Sequence, residues 1–279
     1  MRPLPARDGI IERPPRNPSR MALQLNSDTV GDGPPLLVLH GLFGSAGNWR
    51  SVARTLSATH RVSCLDLRNH GASPWAATMS YAEMADDVAH FIERQPTPRA
   101  SVLGHSMGGK TAMALALTRP DLVDRLLVVD IAPLDYADTL SALAETMRGV
   151  DLSSATSRGE VQRTLASRLP DPSVAAFLAQ NLVARDGHFD WRINLAAHST
   201  AMAELAGFPA SLRERRFESP LHAIAGEHSS YVPRHDAAAF APMFPQAVVE
   251  VVAGAGHWVH ADRPREFVAA VQRALGSGG

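Results

Sequence analysis

Residues 102–110 read VLGHSMGGK, and within them Gly104-His105-Ser106-Met107-Gly108 set a serine between two glycines, each two positions away. A serine hydroxyl attacks carbonyl carbon when a base sits beside it and the backbone holds it clear of its neighbours. A sharp turn from strand to helix provides that presentation, and it strains the backbone at the serine. Side chains two residues to either side would collide across such a turn, which is the physical need for the glycines. At ordinary amino-acid usage the bare pattern occurs by chance in about one chain in ten of this length. Its setting therefore matters: an apolar strand pattern ends at Leu103, and a helical one begins at or just after Ser106.

Two further stretches supply what attack on a carbonyl requires. VLHGLFGS, 38–45, follows an apolar run and turns on two glycines. The negative oxygen that forms during acyl transfer needs backbone N–H groups aimed at it, one from the residue after the nucleophile and one from an early loop. Met107 supplies the first, and Leu42, just after His40-Gly41, is taken for the second in preference to Phe43. GAGHWVHAD, 254–262, follows the last apolar run, and its glycines leave room for a histidine ring to swing toward a neighbouring strand end. His257 is the expected general base, with His260 a structural residue of the loop or the last helix. No His-Glu-x-x-His and no Cys/His cluster occurs, so neither a catalytic metal nor another cofactor is expected.

The elements that must position these residues are legible as patterns. PLLVLH (35–40), RVSCLDL (61–67), ASVLG (100–104) and RLLVVDIA (125–132) are near-continuous apolar runs, as in strands buried on both faces of a parallel sheet. Helix-length segments lie between them, such as 80–93 and 106–118, the latter stopped by Pro120. Strands alternating with helices predict an α/β fold. From about 137 to 217 no strand pattern is read. Leu140, Leu143, Met147 and Val150, then Val161, Leu165 and Leu169, recur at helical spacing, and Asp171-Pro172 reads as a cap and first turn. Strand patterns resume at PLHAIAG (220–226) and AVVEVVAG (247–254), and a closing helix starts near Pro264. The expected organisation is a core over 21–136 and 218–279, interrupted by a helical insertion over 137–217.

Composition narrows the classes. With 279 residues, 45% hydrophobic and 20% charged, the chain reads as ordinary globular protein. A formal net charge of −1 gives no basic surface for nucleic acid. No apolar run approaches the roughly 20 residues of a membrane span, so no membrane association is expected. The single Cys64 allows no internal disulfide, fits a reducing compartment, and in its apolar run is read as an inert buried thiol. Residues 1–20 are rich in proline and arginine and lack the apolar core of a secretory signal. They are read as a flexible arm, with Met21 a candidate true start and the cytoplasm the expected location.

With these segments placed, residues 22–275 resemble the α/β-hydrolase superfamily, and more closely the small bacterial YbfF-type esterases and their acyl-CoA-hydrolysing relatives. HGLFGS, DLRNHGASP, GHSMGGK, VVDIAPLDY, WRINL and GAGHWVHAD carry the resemblance. It implies an eight-stranded, mostly parallel sheet under a helical cap inserted after strand 6, and an esterase activity. The N-terminal arm has no counterpart in that pattern.

The orienting acid is the departure. In most of that superfamily it follows the seventh strand, and that place here reads AGEHSSYV, with Ser229 where an aspartate is usual and Glu227 earlier in the turn. A carboxylate is still wanted, to hold the imidazole's tautomer and stabilise its cation. Asp130, in LLVVDIAP, ends the strand after the nucleophile's helix. It should therefore lie at the same carboxyl edge as Ser106, and it keeps the chain order Ser, Asp, His. The resemblance implies the same placement, with Ser229 adding a hydrogen bond. Asp66, beside Arg68, Asn69 and Gly71, is read as part of a structural turn.

The chemistry expected is two-step acyl transfer on a small-molecule acyl ester or thioester. Leu140, Leu143, Met147 and Phe177 either line an apolar acyl pocket or pack the insertion on the core. Phe43 and, encouraged by the resemblance, the Trp191-Arg192 pair are expected at the substrate. The basic RERR at 213–216 is read as solvated surface before a site for an anionic acyl carrier. Carbon–carbon cleavage or peroxide chemistry on the same residues stays open, as does a ligand receptor of this fold. Reactions that need an aspartate nucleophile do not, because position 106 is serine.

Overall fold

The computed structural model describes residues 22–138 and 140–276, so the arm expected over 1–20 and the start at Met21 lie outside the described residues. The continuous apolar runs form strands. In chain order the first half gives β1 (Ser27–Val30), β2 (Pro35–Leu39), α1 (Arg50–Leu56), β3 (Arg61–Leu65), α2 (Tyr81–Glu93), β4 (Ala100–His105), α3 (Met107–Thr118) and β5 (Val123–Val129). Next come α4 (Ser141–Arg148), α5 (Arg158–Ala166), α6 (Pro172–Ala179), β6 (Leu182–Arg185), β7 (His188–Trp191) and α7 (Leu195–Ala206). The chain closes through β8 (Leu221–Gly226), β9 (Ala247–Val252), α8 (Val259–Asp262) and α9 (Pro264–Leu275).

Seven strands make the main sheet in the order β1-β3-β2-β4-β5-β8-β9. All neighbours are parallel except β1 on β3. Because side chains alternate across a strand, neighbouring residues serve opposite layers. Leu37, Leu39, Val102 and Val128 pack with Met84, Val88 and Met113 of α2 and α3. Leu36, Val38, Leu103 and Leu127 pack with Leu56 of α1 and Phe267 and Val271 of α9. Ser80 and Glu83 form a capping box that fixes the start of α2. Arg68, in the loop after β3, is buried against Asp87 and Glu83 of that helix. Cys64 is buried on β3, and burial pushes its thiol up to about 12, well away from reactivity. Among the described residues no helix is long and apolar enough to cross a membrane.

β5 pairs directly with β8, so everything between them leaves the sheet at one strand end and returns at the next. Asp171 caps α6 with Pro172 in its first turn, as the sequence predicts. Two expectations are corrected. The sheet has seven strands among the described residues, not eight, and the insertion leaves after the strand that Asp130 follows, where the sequence placed it, that strand being the fifth counted here. Just before β1 the Leu23 N–H goes to the Asp87 carboxylate at 2.7 Å and the Asn26 N–H to the Ser73 hydroxyl at 2.8 Å. These side chains, with one backbone bond from the Asp66 N–H to the Asn26 carbonyl at 3.0 Å, hold that stretch without a further strand. Secondly, the insertion contains a hairpin, β6 with β7, turning on Asp186-Gly187 at φ 46° and 82°. Two left-handed positions in a row are what a two-residue hairpin turn demands, and Asp-Gly is among its favoured pairs.

Candidate active site

Ser106 stands between β4 and α3 with φ 53° and ψ −118°, a conformation that costs on the order of 1–3 kcal/mol for a residue with a side chain. Its surroundings impose it. The Ser106 N–H donates to the Val129 carbonyl of the neighbouring strand at 3.0 Å, and its carbonyl accepts from Lys110 at 3.0 Å. A Cβ on Gly104 would lie 2.2 Å from the Gly108 carbonyl oxygen, so the flanking glycines let strand and helix touch. Met107 opens α3, and the first N–H groups of a helix have no acceptor within it.

The loop after β2 faces the same turn. The Gly41 carbonyl accepts from His40 Nδ1 at 2.8 Å and from the Gly44 N–H at 3.0 Å. Since a trans peptide is planar, the Leu42 N–H on the far side of that unit points the opposite way. The Leu67 N–H donates to His40 Nε2 at 3.0 Å, which puts the ring's proton on Nδ1. Burial holds His40 below its ordinary pKa, so the neutral ring is the stable one.

Asp130 directly follows β5, is fully buried and has φ 50°. Its N–H donates to the Ile224 carbonyl at 2.9 Å. One carboxylate oxygen accepts the Gly226 N–H at 3.0 Å, and the other accepts His257 Nδ1–H at 2.7 Å together with the Ser229 hydroxyl. These three donors satisfy the carboxylate's hydrogen bonding away from water. With Nδ1 engaged, Nε2 is the basic nitrogen left to His257. The ring lies against Tyr231 at 4.2 Å between centroids, and the His257 carbonyl accepts from His105 Nε2 at 2.9 Å. Burial, then the neighbouring histidines, depress His105 well below its ordinary pKa and keep it a neutral donor.

Ser106, His257, Leu42, Phe43 and Met107 line one cavity of about 440 Å³, within the usual size for a small-ligand pocket. The insertion adds Leu140, Leu143, Val174 and Phe177 to its wall. Met147 does not line it and is instead fully buried in the packing beneath. Trp191 and Arg192 do not line it either: Trp191 is buried at the end of β7, and the Arg192 N–H holds the Asn181 carbonyl at 2.8 Å. Glu227 is half exposed and accepts the Gly254 N–H at 2.7 Å, away from His257. Asp66 accepts the N–H groups of Ala46 and Ala72 at 2.7 and 2.9 Å, the structural turn expected. His260 stacks on Trp49 at 4.2 Å. Arg213 of the RERR run pairs with Asp135 at 2.6 Å. Among the described residues no three His, Cys, Asp or Glu side chains cluster as metal ligands.

Sequence reasoning passes over four residues that shape this site. Lys110, one helical turn after Ser106, is buried and donates to the carbonyls of Ala206 and Gly207, at 2.8 and 2.6 Å, where α7 ends. Its ammonium lies 4.7 Å from the centre of the Tyr136 ring, and burial brings its pKa down to about 8. The Tyr136 hydroxyl donates to the Tyr231 carbonyl at 2.6 Å, and Tyr231 covers His257. Asn181 Nδ2 donates to the Phe43 carbonyl at 2.8 Å. A lysine inside the serine motif is a usable signal. Tyr136 ends VVDIAPLDY and Tyr231 stands in AGEHSSYV, segments read for their carboxylate and serine, and Asn181 alone stands in a segment without a motif.

Comparison with known proteins bears on the family. The family model described as alpha/beta hydrolase fold matches residues 34–264. The Escherichia coli (strain K12) protein named esterase YbfF is 35% identical over 242 residues, which are 86% of this chain and 92% of that one. The Danio rerio protein named sn-1-specific diacylglycerol lipase ABHD11 is 36% identical over 252 residues, 88% of this chain and 79% of that one. The solved structure named marine microorganism esterase superposes with a TM-score of 0.86 at 34% identity, covering 91% of this chain and 99% of its own.

Proposed function

The chain belongs to the α/β-hydrolase family, and from that premise we propose that it is a serine carboxylesterase for small and medium acyl esters, with acyl thioesters as a second substrate class. The observation that carries the reading is the 2.7 Å hydrogen bond from His257 to buried Asp130, on the cavity that strained Ser106 also lines. His257 Nε2 takes the Ser106 proton as the serine oxygen bonds to the carbonyl carbon. The resulting oxyanion accepts from the Leu42 and Met107 N–H groups. Collapse breaks the bond to the leaving oxygen or sulfur, which takes the proton from His257. Water, deprotonated by the same ring, then hydrolyses the acyl-enzyme and restores Ser106. Asp130 takes no proton; it fixes the tautomer and stabilises the imidazolium, while Ser229 and Gly226 hold its carboxylate.

Residues 137–217 serve in this reading as a cap. Its apolar side chains at Leu140, Leu143, Val174 and Phe177 wall the acyl pocket and restrict water. A cytoplasmic location fits the single buried Cys64. The test pairs a fluorophosphonate probe with hydrolysis of p-nitrophenyl esters from acetate to decanoate. Labelling of wild type but not of Ser106→Ala, with turnover best on the shorter chains, is the expected result. A wild type that neither labels nor hydrolyses any ester overturns the reading.

A further inference from the structure

Phe43 joins the loop after β2 to the cap. Its carbonyl accepts from Asn181 Nδ2 at 2.8 Å, and its ring stacks on His198 of α7, with centroids 5.4 Å apart and planes 24° from parallel. Asn181 is almost wholly buried between α6 and β6. Its backbone is fixed on both sides, its N–H donating to Leu178 at 3.0 Å and its carbonyl accepting from Arg192 at 2.8 Å. Acyl transfer as described above uses none of these contacts.

The Phe43 carbonyl and the Gly44 N–H belong to one planar trans peptide and point in opposite directions. The Gly44 N–H donates to the Gly41 carbonyl at 3.0 Å, and that carbonyl shares its peptide with the Leu42 N–H. One line of hydrogen bonds therefore runs from the Asn181 amide, through the Phe43–Gly44 and Gly41–Leu42 peptides, to an N–H at the cavity. Hydrogen bonds in series polarise one another in a protein interior. A donor already aimed at developing charge also needs no reorganisation when the charge appears. Phe43 has a left-handed backbone, φ 59°, which a bulky residue keeps only where its surroundings compel it. The Asn181 amide and the His198 ring are part of those surroundings.

We infer that Asn181 is a positioning residue for the oxyanion: through it the cap orients the Leu42 N–H and strengthens it as a donor. The inference rests on the reading of Leu42 as an oxyanion donor given above. It makes the cap a participant in stabilising the transition state as well as a wall of the pocket.

Asn181→Asp is nearly isosteric and sets a carboxylate oxygen against the Phe43 carbonyl in place of a donor. The experiment compares wild type, Asn181→Asp and Asn181→Ala for kcat and KM on p-nitrophenyl butyrate. It also measures inhibition by butaneboronic acid, whose boron bonds the Ser106 oxygen to give a tetrahedral adduct. Removing a whole oxyanion donor costs about 10²–10³ in kcat; acting one step removed, both variants should lose about 10-fold, with KM within about twofold. Boronate affinity should fall in parallel. The new carboxyl is a donor when protonated and repels the Phe43 carbonyl when ionised. The gap between Asn181→Asp and wild type therefore widens as pH rises through its titration, which burial shifts upward, while that of Asn181→Ala stays fixed. A role in packing alone would lower the melting temperature without that pH signature. The inference is overturned if both folded variants keep kcat within twofold, if boronate affinity is unchanged, or if the Asn181→Asp gap ignores pH. Should Asn181→Asp not fold, the parallel loss of kcat and boronate affinity in Asn181→Ala decides. End-point fluorophosphonate labelling of Ser106 in every variant separates these outcomes from a failure of the serine-hydrolase reading itself.

Discussion

Every residue of β4 from Ala100 to His105 is buried, whereas α5 in the cap buries only Val161 and Leu165. The difference extends to how each region holds its side chains. In the sheet the backbone does the holding: Ser106 and Asp130 sit in left-handed conformations, pinned by N–H groups that reach the next strand. In the cap, side chains hold the helix starts, through Ser157 before α5, Asp171 before α6 and Asn194 before α7. The Arg185–Asp190 pair across its hairpin is exposed, and exposed pairs contribute little. On the mechanism proposed above, groups that must meet reacting atoms within tenths of an ångström thus stand on the stiff region. Groups that need only exclude water stand on one assembled from many small, separable contributions.

That contrast predicts where variants will act. Ser106→Ala should lower kcat by about 10⁶-fold and abolish covalent labelling. Asp130→Asn should lower kcat by about 10⁴-fold, with KM near wild type and the fold intact by circular dichroism. If it keeps most of its rate, the division of labour breaks at its central point, and Ser229 or another group holds His257. On the cap side, Phe177→Ala and Leu143→Ala should raise KM for p-nitrophenyl octanoate about 3- to 10-fold, as loss of partial apolar contact implies, with kcat within about twofold. A matching fall in kcat would show that these positions do more than wall the pocket.

The smallest effect concerns the seam between the regions, where Lys110 on α3 meets the end of α7. Its pKa falls from the ordinary 10.5 to about 8 on folding, so between those values the unfolded chain binds more protons than the folded one. Stability contributed by this group therefore rises with pH across that window. The neutral amine still has two N–H groups for the Ala206 and Gly207 carbonyls. Urea unfolding should show wild type gaining about 1 kcal/mol relative to Lys110→Met between pH 8 and 9. An unchanged difference would mean the ammonium is better solvated than its burial implies.

The same contrast explains what the sequence discloses. Strands buried on both faces must be continuously apolar, so β2, β3, β4 and β5 stand out, and the turns after β4 and β5 direct attention to Ser106 and Asp130; the glycine-flanked loop after β9 does so for His257, and the structure brings the three to one place. β1 is a short, largely exposed edge strand, SDTV, and leaves no such trace. The β6–β7 hairpin does leave one, the Asp186-Gly187 pair, but helical spacing on either side masks it. Trp191 and Arg192 illustrate a different limit, since a segment that carries a resemblance says nothing by itself about which way a hairpin end faces. Asn181 is 138 residues from its partner Phe43, and a single amide meeting a single carbonyl has no periodicity to read.

Apart from its bond to His257, Asp130 is fastened from one side. Its N–H, both carboxylate oxygens and its serine partner engage Ile224, Gly226 and Ser229 at the end of β8 and in the turn that follows. The cap begins a few residues later in the chain and lends the acid none of these bonds. The intervening segment could therefore be lengthened, shortened or exchanged, and the pocket it walls reshaped, without unfastening the Asp130 carboxylate.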